Sequence, residues 1–400
     1  MIILVLNCGS SSIKYEIVDA AAEGQTLLAK GLIERIGLAE SILTHKPAGK
    51  DVYELKKSIA DHTEGIGIIL DCLTDPVHGA IGSLSEIQAV GHRVAHGGEY
   101  FSASARVNAE VIARIEECVE LAPLHNPANL KGIMAIESVL PGIPQVAVFD
   151  TSFHQTIPAK NFMYALPYKY YAEDKVRKYG FHGTSHQFVG RKACRMTGLD
   201  FENSKIITCH IGNGASMTAI LNGKSLDTSM GFTPVDGLIM GTRCGDVDPG
   251  ALIYIAKKEG LDYDGLNDLI NKKSGVAGFS GISSDMRDIH KAADNGDEKA
   301  ELILDMYHER IRKYVGQYAA VMSGVDLIVF TGGVGENGPE TREKVCSGFE
   351  FMGLHFDKEA NKGLRGKDRI LSTPESKIKV VVATTDEEYV IAQDTFEIVS

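Results

Sequence analysis

The sequence predicts an α/β protein built from two duplicated domains, and three observations carry that prediction. Apolar strands alternate with amphipathic helices along the whole chain, the pattern of layered α/β structure. A strand-turn-strand unit at the N-terminus recurs about two hundred residues later. Finally, 400 residues exceed what one compact core usually holds, and 44% hydrophobic content suffices for two.

Ile2 to Leu6 are five consecutive apolar residues with β-branched content, which predicts a buried strand. Asn7 to Ser12 then form a turn of small residues, and Ile13-Lys14-Tyr15 open a second strand. Gly9 and the serines leave room for backbone N–H groups to approach an anion, with hydroxyls and Lys14 as further donors. An ordinary serine-rich hairpin is the alternative reading.

Ile87 to Val90 predicts a strand entering a loop, Gly91-His92-Arg93-Val94-Ala95-His96-Gly97-Gly98. Arg93 is expected to be placed by glycine backbone rather than by an ion-pair partner, as an anion ligand or as a surface arginine. His92 and His96 are spaced like a metal pair, but two glycines follow them and no Glu lies between, so no metal is expected there. Val107 to Ala122 predicts a helix ended by Leu124-His125-Asn126-Pro127, with His125 a helix-end residue or a substrate contact. Gln145 to Phe149 predicts a strand that delivers Asp150 to its C-terminal end, where α/β sites gather. Asp150 there serves as helix cap, base or magnesium ligand, with the last two favoured.

Pro158 to Tyr171, rich in proline and aromatics, is the candidate domain crossing, which is placed near residue 151. Tyr179 to His186 predicts a helix start capped by Thr184 or Ser185, with His182 just outside the positive dipole end. Ile206 to Ile220 repeats the N-terminal hairpin around Gly212-Asn213-Gly214. Thr233 to Gly237 and Gly241 to Gly250 bring a second glycine-flanked arginine, Arg243, and two such arginines suit a multiply charged species. Helices are predicted over 251–259 and 301–322. Leu327 to Phe330 predicts a strand ending in a glycine loop, Thr331 to Gly338. Lys379 to Ala383 reads as a strand, followed by a capping turn and a helix containing Glu387 and Glu388.

Composition narrows the function classes. A net charge of −12 disfavours nucleic acid and anionic membrane as partners. No apolar run reaches the roughly 18 residues of a spanning helix, and the N-terminal run lacks the basic flank and cleavage site of a signal peptide. Seven scattered cysteines without a C-x-x-C pair fit a reducing cytoplasm. Neither a Walker lysine loop nor a dinucleotide-binding G-x-G-x-x-G after a strand occurs.

Taken together, these segments closely resemble the acetate kinase family, within the superfamily of acetate and sugar kinases, heat-shock ATPases and actin. The carriers are Leu6 to Lys14, Gly91 to Gly98, Phe149 to His154, Tyr179 to His186, His210 to Gly214, Met240 to Gly250 and Gly332 to Asn337, in order along essentially the whole chain. The resemblance implies two actin-like (ribonuclease H-like) domains with an active-site cleft between them. These would be residues 1–150 plus about 386–400, and residues 151–385, the second carrying most nucleotide contacts and the dimer interface. It implies reversible phosphoryl transfer between ATP and acetate, giving acetyl phosphate and ADP, with Mg2+ (or Mn2+) as cofactor, in a cytoplasmic homodimer.

Residue by residue, Asn7 and Glu387 match the magnesium positions, although Glu388 leaves that register less secure. Ser10, Ser12 and Lys14 match the phosphate side of ATP. Arg93 matches the substrate-binding arginine, with Ala95, His125 and Pro234 as further substrate contacts. Asp150 matches the catalytic aspartate, and His182 and Arg243 match transition-state stabilisers. Nucleotide contacts fall to His210, Ile211, Gly212, Asn213 and Gly214, to Asp285, Met286 and Arg287, and to Gly333, Val334, Gly335, Glu336 and Asn337. Acetate specialists of the family usually carry valine where this chain has Ala95, which leaves room for about one methylene and implies side activity on propionate. A propionate kinase, a sugar or glycerol kinase of the same superfamily, and an actin-like ATPase switch are the alternatives. The paired arginines disfavour the last two.

Overall fold

A computed structural model describes residues 1–22 and 24–400. The chain forms two compact units, residues 1–155 with 386–400, and residues 156–385.

The first unit is built on an eight-stranded sheet in the order β5-β4-β3-β2-β1-β6-β8-β7. Its strands are β1 (Ile2–Cys8), β2 (Ser12–Ala21), β3 (Gly24–Glu34), β4 (Ser41–Pro47), β5 (Tyr53–Lys57), β6 (Ala89–Val94), β7 (Ala105–Arg106) and β8 (Gln145–Phe149). Alternation along β1 explains why an unbroken apolar run is needed, because both faces are covered. Leu4 and Leu6 pack with Ile66 and Ile69 of α1 (His62–Leu73) and Ile136 of α3 (Asn126–Val139). Ile3 and Val5 pack on the other face with Ile391 and Ala392 of the C-terminal helix, Glu387–Val399. Gly91 lets that helix approach, since a Cβ there would lie 2.4 Å from Thr395 Oγ1 and 2.7 Å from Ile391 Cγ2.

The second unit carries a six-stranded sheet, β11-β10-β9-β12-β14-β13. Here β9 is Lys205–Ile211, β10 Ala215–Leu221, β11 Lys224–Thr228, β12 Leu327–Thr331, β13 Arg369–Ile370 and β14 Lys379–Val382. The run β11-β10-β9-β12-β14 repeats β3-β2-β1-β6-β8, with two antiparallel pairings followed by two parallel ones in each unit. The helices that matter below are α4 (Gly183–Thr197), α5 (Pro249–Glu259), α6 (Tyr263–Lys272), α7 (Met286–Asp294), α8 (Glu298–Val321), α9 (Gly332–Asn337) and α10 (Pro339–Cys346). The stripe Ile303, Tyr307, Ile311, Val315 and Tyr318 of α8 packs into one core with Ile207, Cys209, Phe330 and Val380.

Several expectations are corrected. The helix expected over 107–122 is α2, Ala109–Glu117, started by the Asn108 cap. Pro123 disfavours helical backbone at the residue before it, so turns follow. His125 does not end that helix but occupies the N-cap position of α3. The strand expected over 87–90 runs on through Val94, so His92 and Arg93 sit in β6 between β1 and β8 rather than in a loop. His182 itself is the N-cap residue of α4, in left-handed backbone (φ 56°), and Thr184 and Ser185 lie within the first turn. The segment after β12 is not a loop but the short helix α9, entered through Gly332 at φ 77°. The helices expected over 251–259 and 301–322 start earlier, after Asp248 and Asp297, whose side chains cap them. Among the described residues, no helix is long and apolar enough to cross a membrane.

Candidate active site

In the first unit, β1 and β2 place Asn7 opposite Lys14. The turn between them is held from behind: Asn129 Nδ2 donates to Cys8 O (2.8 Å) and His62 Nε2 bonds Gly9 O (2.7 Å). Ser10 is exposed and Ser12 half-buried, so the turn's hydroxyl face stays accessible. The parallel neighbours β6 and β8 set Arg93 beside Asp150. Arg93 donates from Nε to Asp150 Oδ1 (3.0 Å) and from Nη2 to Oδ2 (2.5 Å). Its Nη1 makes a longer bond to Asn7 Oδ1, at 3.3 Å.

This overturns the expectation that Arg93 is placed by glycines rather than by an ion-pair partner. Asp150, only 3% exposed, needs a cation, and the two strand ends provide it. Ala95 is buried, and its N–H donates to Asn129 Oδ1 at 3.0 Å. His92 bonds Gln145 Oε1 (2.8 Å) inside the core, and burial pushes its pKa down to about 4. His125 is half-buried at the start of α3.

The C-terminal helix, capped by Asp386, adds two carboxylates. Glu388 Oε1 pairs with Lys14 Nζ at 2.5 Å, and Glu387 Oε2 lies 4.0 Å from Arg93 Nε. Burial pushes the Glu387 carboxyl up to about 7; Arg93 opposes this, while Asp150 and Glu388 add to it. Glu16, on β2, is likewise raised to about 7, by burial and by Glu388 and Asp386. Carboxylates thus outnumber cations here, with Glu16, Asp150, Glu387 and Glu388 facing Lys14, Lys30 and Arg93. Asn7, Asp150 and Glu387 offer oxygen donors amid surplus buried negative charge, chemistry that fits a small hard divalent cation. Among the described residues, no group of three or more His, Cys, Asp or Glu side chains is arranged to hold a metal unaided.

In the second unit, the β9–β10 turn closes with Gly212 N donating to Gly214 O (3.2 Å), and Gly241 N donates to Asn213 O (2.9 Å). The His182 ring stacks on His210 with centroids 4.2 Å apart, and its Nδ1 lies 2.8 Å from Ser216 Oγ. Ser216 also bonds His186 Nε2, while His210 Nδ1 bonds Ser185 Oγ. Arg243 lies beside this stack; its Nη1 is 3.3 Å from where a Cβ on Gly214 would sit. Its Nη1 bonds the sulfur of Met240, at 3.8 Å, and burial lowers its pKa. No carboxylate pairs with Arg243 among the described residues, in contrast to Arg93. Pro234 is half-buried in the segment after β11.

A cleft of about 890 Å³ lies within this unit. Gly212, Asn213, Asp285, Met286 and Arg287 line it, together with Gly333, Val334 and Asn337. Asp285 caps α7 and holds Arg287 through Oδ2 and Nη2 at 2.5 Å. Other expected nucleotide residues are not on its wall. Ile211 is fully buried, and the Glu336 carboxylate accepts from Gly332 N (3.1 Å) and Thr385 N (3.0 Å). His210, Gly214 and Gly335 also lie off the wall. Conversely, the cleft includes Ser284, His290, Lys291, Tyr307 and Arg365, which the sequence reading missed. Lys291 follows Arg287 by one helical turn, a spacing that could have flagged it. Nothing local marks Tyr307 or Arg365.

Two sheets of one repeated topology, each with a glycine or serine turn at its central hairpin, define an α/β protein of actin-like fold. The chain matches the Acetokinase family over residues 2–393, and it belongs to that family. It is 57% identical over 400 residues to an acetate kinase of Parabacteroides distasonis, covering all of this chain and 99% of that one. An acetate kinase of Thermotoga maritima is 55% identical over 401 residues, covering 100% of this chain and 99% of that one. The crystal structure of Porphyromonas gingivalis acetate kinase superposes with a TM-score of 0.96 at 55% identity, covering 100% of both chains. A propionate kinase from Francisella tularensis superposes at 0.90 with 39% identity over 99% of both.

Proposed function

We propose that this chain catalyses reversible transfer of the γ-phosphoryl group between ATP and acetate, giving acetyl phosphate and ADP by one direct in-line step. The carrying observation is the contrast between its two arginines. Arg93 is fixed by a carboxylate through Nε and Nη2, while Arg243 sits half-buried beside stacked histidines with no carboxylate pairing with it among the described residues. The first suits a carboxylate acceptor and the second a phosphoryl group in flight.

Acetate is ionised at neutral pH and needs no base to attack phosphorus. Both Asp150 oxygens are engaged by Arg93, so Asp150 acts by orienting the guanidinium; Nη1, whose one bond to Asn7 Oδ1 is long, keeps a second N–H for the acetate carboxylate. Ala95, His125 and Pro234 are assigned to the acetate side. His182 and Arg243 donate to the phosphoryl oxygens, whose charge grows in the transition state. The cleft holds the nucleotide through Gly212, Asn213, Asp285, Met286, Arg287, Gly333, Val334 and Asn337. Ser10, Ser12 and Lys14 are assigned to the phosphate chain. Asn7 and Glu387 would hold Mg2+, which when bound neutralises phosphate oxygens.

Ala95 in the acetate pocket leaves room for propionate as a secondary substrate. The active form is a homodimer joined through the second unit. That assignment is supported by α5 and α6, which bury no residue of their own and expose Ile253, Tyr254 and Tyr263.

A coupled assay for ADP release with acetate, propionate, glycerol or no acceptor tests the reading. Rapid turnover with acetate, slower turnover with propionate and none with glycerol are expected. Acceptor-independent ATP hydrolysis or preference for glycerol would refute it.

A further inference from the structure

The second unit's cleft has two kinds of wall. Gly212, Asn213, Gly241 and Gly333 bring backbone close to a ligand, as phosphate groups require. Another part of the wall, from α7, α8 and α10, is made of side chains, among them His290, Tyr307 and Thr341. Thr341 Oγ1 is already bonded to His308 Nε2, at 3.2 Å. Tyr307 differs. Its ring belongs to the core and is 2% exposed, yet it reaches the cleft wall, and its hydroxyl has no hydrogen-bond partner. Of the buried side-chain polar atoms left without a partner among the described residues, it alone lies on this cleft.

A buried hydroxyl without a partner costs stability, so a chain that keeps one on a cleft wall gains where a ligand supplies the partner. Burial also holds the phenol above its ordinary range, so it stays protonated and can both donate and accept. If the glycine turns take the phosphates, the side-chain wall is left for the base. Resting on the nucleotide reading of this cleft, we propose that the Tyr307 hydroxyl hydrogen-bonds the edge of the purine ring of the phosphoryl donor and contributes to base preference. A purine edge carries adjacent acceptor and donor atoms that match a hydroxyl able to do both. The smaller pyrimidine ring is not expected to reach it.

The test is Tyr307→Phe in the full-length protein, with ATP and CTP as donors. The substitution removes only the unpaired oxygen, so the Tm without nucleotide should hold or rise. The KM for ATP is expected to increase about three- to tenfold, the yield of one lost hydrogen bond. The KM for CTP, the KM for acetate and kcat should stay within twofold. An unchanged KM for ATP would overturn the proposal, as would equal shifts for ATP and CTP. A lowered Tm would show that the hydroxyl is partnered within the protein and would overturn it too. Photolabelling of the parent protein with 8-azido-ATP separates this inference from its premise. Label outside the cleft segments defeats both, whereas label within them beside an unchanged Tyr307→Phe KM defeats only the base contact.

Discussion

Replacing Arg342 by Met probes how the nucleotide wall is held, and its effect can be worked from the structure. Arg342 is fully buried. It donates from Nε to Asn361 Oδ1, from Nη1 to Gly335 O and from Nη2 to Leu364 O, each at 2.8 Å. Burial lowers its pKa to about 10, so it remains a cation at neutral pH. Met fills the space of the stem but strands three buried acceptors, each costing about 1–3 kcal/mol. Relief from burying a cation returns several kcal/mol, which leaves a net loss of about 3 kcal/mol. In a unit of this size that lowers Tm by about 6–12 °C. Gly335 lies in α9 between Gly333 and Asn337, and Leu364 precedes Arg365, all three of them cleft residues. The KM for ATP should therefore rise about tenfold while the KM for acetate stays within twofold. Far-UV circular dichroism is the suitable stability probe, because the chain contains no Trp. A Tm within 2 °C of the parent together with an unchanged KM for ATP would refute the reasoning.

Three further outcomes are expected. Arg93→Ala should raise the KM for acetate about a hundredfold with little change in that for ATP; it should also lower Tm, because Asp150 is left buried without its cation. Ala95→Val should reduce propionate turnover relative to acetate by about ten- to a hundredfold, read as a ratio of kcat/KM values. His92 is held neutral, with a folded pKa of about 4 against 6.5 when unfolded, so its contribution is complete above pH 6.5 and is lost as pH falls through 4. Half-buried Glu387 and Glu16, raised to about 7, act with the opposite sign between about pH 4.5 and 7. The comparison of His92→Gln with the parent in urea isolates the histidine: the variant should lose less stability on acidification, by up to about 1.4 kcal/mol per pH unit. Parallel curves would contradict this.

The repeated hairpins were legible because β1 and β9 are central strands covered on both faces, which demands continuous apolar runs and tight small-residue turns. Arg93 and Asp150 were legible as site residues, but their mutual ion pair was not. It depends on the parallel pairing of β6 with β8, and 57 residues separate the two positions in the chain. The extent of β6 was misjudged for the same reason, since pairing on both edges carries the strand past Gly91 into charged sequence. His125 was placed at the wrong end of a helix because Pro123 divides two helices that one amphipathic pattern joins. In the cleft, residues on glycine turns were found, whereas Tyr307 and Arg365 meet it only through tertiary packing. Arg342 reads locally as a surface helix residue; its burial follows from the 361–364 segment folding over α10.

The measurement that bears most directly on the account follows label from [γ-32P]ATP in the presence of acetate and Mg2+, with hydroxylamine added only to samples withdrawn from the reaction. The account expects early label in a hydroxylamine-labile acyl phosphate, formed in proportion to acetate occupancy and lost in Arg93→Ala at the same acetate concentration. Label released only as inorganic phosphate, at a rate independent of acetate, would contradict it.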